Sequence, residues 1–149
     1  MTISSEYVFD GPKERVWELI QDPEVLSSAL PGTKQITQVG ENEYVGEMKI
    51  KVGPVTGVFS GRISVSDVVP LESYTLTVEG KGKSGFLNGS GRINFERQED
   101  GKTLVTYSGD VQVGGKLAGV AQRLIELTSK SIIRHGLQKI NKNHLTAEE

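Results

Sequence analysis

The 149 residues include 36% hydrophobic and 24% charged side chains and carry a formal net charge of −2, a composition typical of one ordinary globular domain. Cysteine is absent, which excludes disulfides, thiolate metal sites, iron–sulfur clusters and a cysteine nucleophile. The sequence shows neither a signal peptide nor a transmembrane helix. We therefore expect a cytoplasmic protein, with peripheral contact at the inner face of the membrane as an open alternative.

The first predicted elements are a strand and two short helices. Residues 3–9 alternate as a strand, and Asp10 and Pro12 then supply a helix cap and a proline at the first helical position. The segment 22–24, Asp-Pro-Glu, repeats this start signal for a second helix that ends near Leu30.

Residues 34–113 form a run of short strands. Apolar residues alternate with period two, and turn-forming residues interrupt the run, which predicts about six strands joined in an antiparallel meander. Residues 116–142 then carry apolar residues at helical spacing without proline, so we expect one helix of about 25 residues.

This order of elements predicts an α+β fold. A curved antiparallel sheet of about seven strands should surround the long C-terminal helix, with two short helices after strand 1. Residues 1–145 should form a single ligand-binding domain and residues 146–149 a short polar tail.

Charge is unevenly distributed along the chain. Residues 1–115 carry 11 basic and 16 acidic side chains, a net −5, whereas residues 116–143 carry six basic side chains and only Glu126, a net +5. Two interpretations stay open for the basic helix. The helix dipole and an acidic sheet favour such cations, and the helix could equally contact an anionic membrane or an acidic partner.

Glycine recurs on the inward face that the strand alternation predicts. Glycine permits sharp bending of a sheet and removes side-chain volume, and the positions concerned are Gly46, Gly57, Gly61, Gly89, Gly91 and Gly109. We therefore expect space between sheet and helix that an apolar ligand or water fills. In the alternative interpretation the glycines serve bending alone and the core closes.

A stripe of the last helix begins apolar and turns polar, through Leu117, Ala121, Leu124, Thr128, Ser131, Ile132 and His135. Inward hydroxyls and an imidazole could orient a polar ligand group such as a carbonyl. Alternatively, the hydroxyls bond to helix carbonyls and the imidazole reaches solvent.

The predicted ligand site combines this stripe with apolar and aromatic residues from the second helix and the strands. Its residues are Leu26, Leu30, Tyr44, Met48, Phe59, Tyr74, Leu87, Tyr107, Leu124, Thr128, Ser131 and His135. The aromatic residues among them are more often plain core than ligand contacts.

A second apolar stripe near the helix end comprises Ile133, Leu137 and Ile140, with Lys130 and Arg134 nearby. This stripe could dock on an anionic membrane surface or an acidic partner. Packing on the N-terminal strand, or a dimer contact, would cover it equally well.

Patterns for catalysis and metal binding are missing. His135 and His144 lack the spacing of a helical metal pair, and no carboxylate orients His135 beside Ser131 for nucleophilic catalysis. The segment 80–85 joins two strands, so it indicates a hairpin and not a phosphate loop. The acidic strand region also argues against nucleic-acid binding. We expect no catalytic residue, metal or cofactor.

Several sequence phrases resemble one family. They are residues 22–26 (DPEVL), 30–32 (LPG), 52–55 (VGPV) followed by Gly57, Phe59 and Gly61, and 113–118 (VGGKLA). They resemble the CoxG family of carbon monoxide dehydrogenase subunits, within the helix-grip superfamily of START and polyketide-cyclase (SRPBCC) proteins, over nearly the whole chain. This resemblance implies an accessory protein that holds an apolar ligand, with a quinone as the candidate. It also implies association with a molybdenum hydroxylase of the carbon monoxide dehydrogenase type and recruitment to the membrane.

Members with a membrane role often carry an extended tail, whereas this sequence ends soon after the last helix, so we do not expect stable anchoring. Two other classes stay open. One is a cyclase or hydratase that uses a tyrosine, His135 or an inward carboxylate as acid or base. The other is an assembly factor that acts through its basic helix.

Overall fold

The computed structural model describes residues 1–30 and 32–145, so Pro31 and the predicted tail at 146–149 lie outside the described residues. Its first elements are β1 (Thr2–Phe9), α1 (Lys13–Leu19) and α2 (Pro23–Ala29). The following strands are β2 (Thr33–Gly40), β3 (Glu43–Val52), β4 (Val55–Val69), β5 (Ser73–Gly82), β6 (Gly85–Arg97) and β7 (Thr103–Gly114). A 3₁₀ helix (Gly115–Gly119) then leads into α3 (Gln122–His144).

The seven strands form one antiparallel sheet in the order β1-β7-β6-β5-β4-β3-β2. Consecutive strands from β2 to β7 are neighbours, as expected for a meander, and β1 joins the far edge beside β7. The two short helices bridge β1 and β2. This arrangement confirms the predicted fold class.

The strand register confirms the inward faces that the alternation predicts. One row across the sheet joins Tyr44, Ile63, Val78, Gly89 and Val111, and directly opposed residues share a face. Gly89 is thus on the face that the alternation predicts as inward, and it shares that face with the predicted site residue Tyr44.

Glycine is required where Gly91 opposes Gly109 on β6 and β7. A Cβ atom added to Gly109 would lie 2.6 Å from the Ser90 carbonyl oxygen and 2.8 Å from the Gly91 Cα. The two backbones therefore approach too closely for any side chain, which supports the predicted link between inward glycines and sheet curvature.

The last helix begins at Gln122 and not at Lys116 as predicted. Gly115 adopts a φ of +68°, and Val120 is extended with a ψ of 140°, so the 3₁₀ helix and α3 are separate elements. The Leu117 amide donates a hydrogen bond to the Ser84 carbonyl oxygen at 3.2 Å, which ties the 3₁₀ helix to the β5–β6 turn.

The first helix also begins differently from the prediction. Pro12 occupies its N-cap position, and Asp10 instead pairs with Asn141 near the end of α3. The second start signal is confirmed, because the Asp22 carboxylate accepts a hydrogen bond from the Glu24 amide at 2.9 Å.

Buried apolar residues form two separate clusters. The first cluster surrounds the C-terminal half of α3 and includes Phe9, Val16, Tyr74, Phe95, Val105 and Ile140. The second cluster lies at the start of α3 and comprises Val52, Phe59, Leu117 and Ile125. The core is thus divided along the axis of the last helix.

Candidate functional site

The space between the two clusters is the candidate site. Val78, Leu87, Val111, Met48 and Tyr107 lie on the inner face of the sheet, are half-buried, and belong to neither cluster. Side chains that face inward yet stay partly accessible indicate that the described sheet and α3 do not close over the centre as they do at both ends.

An opening of about 500 Å³ adjoins this space at the start of α3. It lies among the last inward residues of β7, the N-terminal residue and the first turn of the helix, and its apolar lining includes Met1, Val111, Val113, Ala118, Val120 and Ile125. Gln112, Gln122 and Phe86 complete the lining, so the sheet–helix space adjoins a partly polar opening beside the second cluster.

A larger concavity of about 760 Å³ lies elsewhere, on the outer face of the sheet across β3 to β6. Its lining includes the outward residues Glu47, Arg62, Glu79, Lys81 and Phe86. It is open and mixed in charge, so it is not the apolar space predicted from the inward glycines.

Eight residues of the predicted site lie on the inner side of the fold. Tyr44 and Tyr74 are buried in the first cluster, Leu26 and Leu30 pack against it, and Phe59 is buried in the second cluster. These five are core residues at the two ends of the space, whereas Met48, Leu87 and Tyr107 lie between the clusters.

The predicted polar stripe of the helix requires correction. Leu124, Ser131 and His135 are exposed, and Thr128 is half-buried. The buried residues of α3 are Ile125, Gly136, Ile140 and Asn141, so the inward face is rotated away from the predicted stripe. Ser131 and His135 therefore face solvent, as the alternative interpretation expected for the imidazole.

The second stripe faces the core. Ile140 is 2% exposed within the first cluster, Leu137 packs against that cluster, and Ile133 is half-buried. The interpretation of this stripe as a membrane-docking face is therefore wrong. The alternative of packing toward the N-terminal strand is confirmed, because Ile140 and Phe9 of β1 belong to the same cluster. Arg134, outside the stripe, also lies 5.9 Å from the centre of the Tyr7 ring on β1.

Residues 8–144 match the family described as CoxG, a subunit of carbon monoxide dehydrogenase. The chain belongs to this family. The resemblance seen in the sequence phrases is thus confirmed. No curated protein matches the chain.

Solved structures confirm the fold of this CoxG-family chain. A conserved protein from Geobacillus kaustophilus is 32% identical, with a TM-score of 0.90 over 95% of this chain and 93% of that one. A START superfamily protein from Mycobacterium smegmatis is 14% identical, with a TM-score of 0.72 over 99% of both chains. The Zhui aromatase/cyclase from Streptomyces sp. R1128 is 12% identical, with a TM-score of 0.69 over 94% of this chain and 90% of that one.

The inner face of the sheet in this CoxG-family protein offers few groups for acid–base chemistry. From β3 to β7, the paired inward positions carry no Asp, Glu or His among the described residues. Burial, and secondarily the neighbouring Tyr44, raises the pKa of the Tyr74 phenol, so Tyr74 stays protonated at neutral pH. The described residues also contain no group of three or more His, Cys, Asp and Glu side chains placed to hold a metal ion.

No helix in the described part of the chain is long and apolar enough to cross a membrane.

The sequence analysis did not predict one polar pair on α3. Glu126 and Lys130 form an ion pair at 3.5 Å on α3, with side chains 38% and 40% exposed. The sequence could have indicated their position, because their spacing from Ile133 and Leu137 places all four residues on one side of a helix.

Proposed function

We propose that this CoxG-family protein is a non-catalytic accessory protein that holds an apolar ligand between its sheet and α3, with a quinone as the leading candidate. The observation that supports this proposal most directly is the divided core. Met48, Leu87 and Tyr107 lie on the continuous sheet between the clusters yet stay half-buried. An apolar ring and chain would complete the packing there.

The available apolar surface is sufficient for useful affinity. A ring that buries about 300 to 500 Å² would gain roughly 8 to 12 kcal/mol before the costs of ordering and association. Those costs consume several kcal/mol, so a dissociation constant in the micromolar range is reachable without charge pairing.

The proposed partner is a molybdenum hydroxylase of the carbon monoxide dehydrogenase type. Support comes from the family, which is named for a subunit of carbon monoxide dehydrogenase. We place the protein in the cytoplasm, where it would collect its ligand during transient contact with the inner face of the membrane.

One end of the molecule has the charge and apolarity suited to such contact. The β5–β6 turn meets the 3₁₀ helix there, because Leu117 bonds to Ser84. The β3–β4 turn meets the first turn of α3, because a Cβ on Gly53 would lie 2.8 Å from the Leu124 side chain. We call this end the basic tip. Its exposed residues are Lys49, Lys51, Lys81, Lys83, Lys116, Arg123, Val58, Phe86 and Leu124. The opening at the start of α3 lies beside it.

The decisive experiment is organic extraction of the protein purified from cells that naturally express it, followed by mass spectrometry. We expect an apolar molecule at close to one per chain. Tyr107→Arg should reduce its content at least about 10-fold, because an unpaired charge between the clusters is costly. Leu127→Arg is the matched control, since Leu127 is 53% exposed on α3. Equal ligand content in Tyr107→Arg and Leu127→Arg would contradict the proposed carrier function. A lipid extract identical to that of an unrelated protein would contradict it as well.

A further inference from the structure

The side of α3 that is apolar at both clusters carries charged residues between them. Successive helical residues are 100° apart, so Glu126 and Lys130 lie on the same side as Ile133, Leu137 and Ile140. Leu137 and Ile140 contact the first cluster, and Ile125, next to Glu126, lies in the second. The helix therefore presents an ion pair at the level where the apolar core is interrupted.

The contacts of α3 with β1 give the level of this ion pair along the direction of the strands. Asn141 hydrogen-bonds to Asp10, and Arg134 lies against Tyr7. From Asn141 to Arg134 the helix rises about 10.5 Å, and from Asp10 to Tyr7 the chain of β1 covers about 10 Å. The two elements therefore run side by side over the same distance. Lys130, one turn before Arg134, then lies level with Ser5, whose partner on β7 is Tyr107.

The pair is partly accessible to solvent. The side chains of Glu126 and Lys130 are 38% and 40% exposed, close to the 37% and 46% of the pair Asp10–Lys102. The pairs Arg15–Glu18 and Arg97–Glu14 are more exposed, at 47% to 72%. Glutamate four residues before lysine is also the favourable order for a helical pair, which holds the ammonium group near the helix side. The ammonium carries three donors, so pairing with Glu126 leaves donors for another acceptor.

We propose that Lys130 and Glu126 form the polar end of the ligand site, where Lys130 donates a hydrogen bond to an acceptor oxygen of an otherwise apolar ligand. This inference rests on the proposed carrier function and deepens it. The ligand class is a hydrophobic molecule with a carbonyl or ether oxygen on its ring, because a pure hydrocarbon would leave the ammonium without that contact. Lys130 would thus set specificity, while Met48, Leu87 and Tyr107 supply apolar contact.

The test measures displacement of the neutral fluorophore N-phenyl-1-naphthylamine by two matched probes, decylubiquinone and n-decylbenzene. Both carry a ring and a decyl chain, and only the first has ring oxygens. Lys130→Met keeps the length and removes the donor. We expect it to raise the Kd for decylubiquinone about 10- to 100-fold and to change that for n-decylbenzene less than about 2-fold. Lys139→Met, at an exposed position of α3, is the control and should change neither value.

Lys130→Gln keeps a neutral donor and should give an intermediate Kd for decylubiquinone, which preserves the test if Lys130→Met does not fold. If the Kd for decylubiquinone is the same in the wild type and both Lys130 variants, the role of Lys130 is wrong, but the proposed carrier function is not contradicted. Failure of both probes to displace the fluorophore from the wild type would overturn the carrier and this inference together.

Discussion

Asp10 and Asn141 are joined by two reciprocal hydrogen bonds although 131 positions separate them in the sequence. The Asp10 amide donates to Asn141 Oδ1 at 2.7 Å, and Asn141 Nδ2 donates to Asp10 Oδ2 at 2.8 Å. This pair fixes the end of α3 to the end of β1. It therefore sets the position of the whole helix above the sheet, including the part that faces the candidate site.

Replacement of Asn141 by alanine should destabilise the fold. The change removes two hydrogen bonds, one of them to a carboxylate, at a position only 9% exposed, so we expect a loss of about 2 to 4 kcal/mol in the free energy of unfolding. Urea denaturation measures this loss. Asn143→Ala, at an exposed position of the same helix, should stay within about 0.5 kcal/mol of the wild type. Equal losses in the two variants would show that the pair has no special role.

The same pair should make stability depend on acid pH. The hydrogen bond from Asn141 is the largest cause that holds the pKa of the Asp10 carboxyl below its ordinary value of 3.8, with Lys102 contributing further. A lowered pKa in the folded state gives stability that is present above the unfolded value and lost as pH falls through the folded value. Asp10→Asn should therefore have a lower free energy of unfolding than the wild type at about pH 7. This difference should disappear toward about pH 2, where the wild-type carboxyl is protonated. Unfolding curves whose separation stays constant with pH would contradict this assignment.

The difference between what the sequence predicted and what it missed has a physical cause. The alternation of side chains along a strand depends only on neighbouring residues and does not require exact strand ends, so the inward positions of Gly46, Gly89 and Gly109 were predicted correctly. The phase of α3 depends on distant partners, namely Asp10 and Leu30, which local spacing does not reveal. Both stripes of the helix contain apolar residues, and only these contacts decide which stripe faces the core.

The divided core was also beyond local sequence patterns. The inward glycines predicted missing volume, and the structure shows half-buried residues where that volume is missing. Where the two clusters separate depends on the curvature of the whole sheet and on the late start of α3 at Gln122. The pairing of Glu126 with Lys130 was visible in the sequence, but its level relative to Tyr107 was not.

The pair of Gly91 and Gly109, opposed on β6 and β7, should tolerate no side chain. Gly109→Val places carbon atoms within 2.6 Å of the Ser90 carbonyl oxygen, and backbone cannot move as a flexible side chain would. We expect destabilisation of more than about 2 kcal/mol by urea denaturation, or no folded protein. Gly119→Ala is the control, because nothing lies within 4 Å of its added Cβ, and it should be nearly neutral. Retention of wild-type stability in Gly109→Val would mean that β6 and β7 are further apart than described.

The basic tip should carry the proposed membrane contact. Each lysine near an anionic bilayer contributes about 1 kcal/mol, so Lys83→Glu, which removes one attractive charge and adds one repulsive charge, should bind phosphatidylglycerol vesicles about 10-fold more weakly in sedimentation. Added salt should weaken wild-type binding in the same direction. Lys139→Glu makes an equivalent charge change on α3 and should have a smaller effect, because Lys139 lies beyond Gly136 in the half of the helix that packs on α2. Equal loss in both variants would show that net charge alone governs binding, and absence of wild-type binding would remove membrane contact from the proposed function.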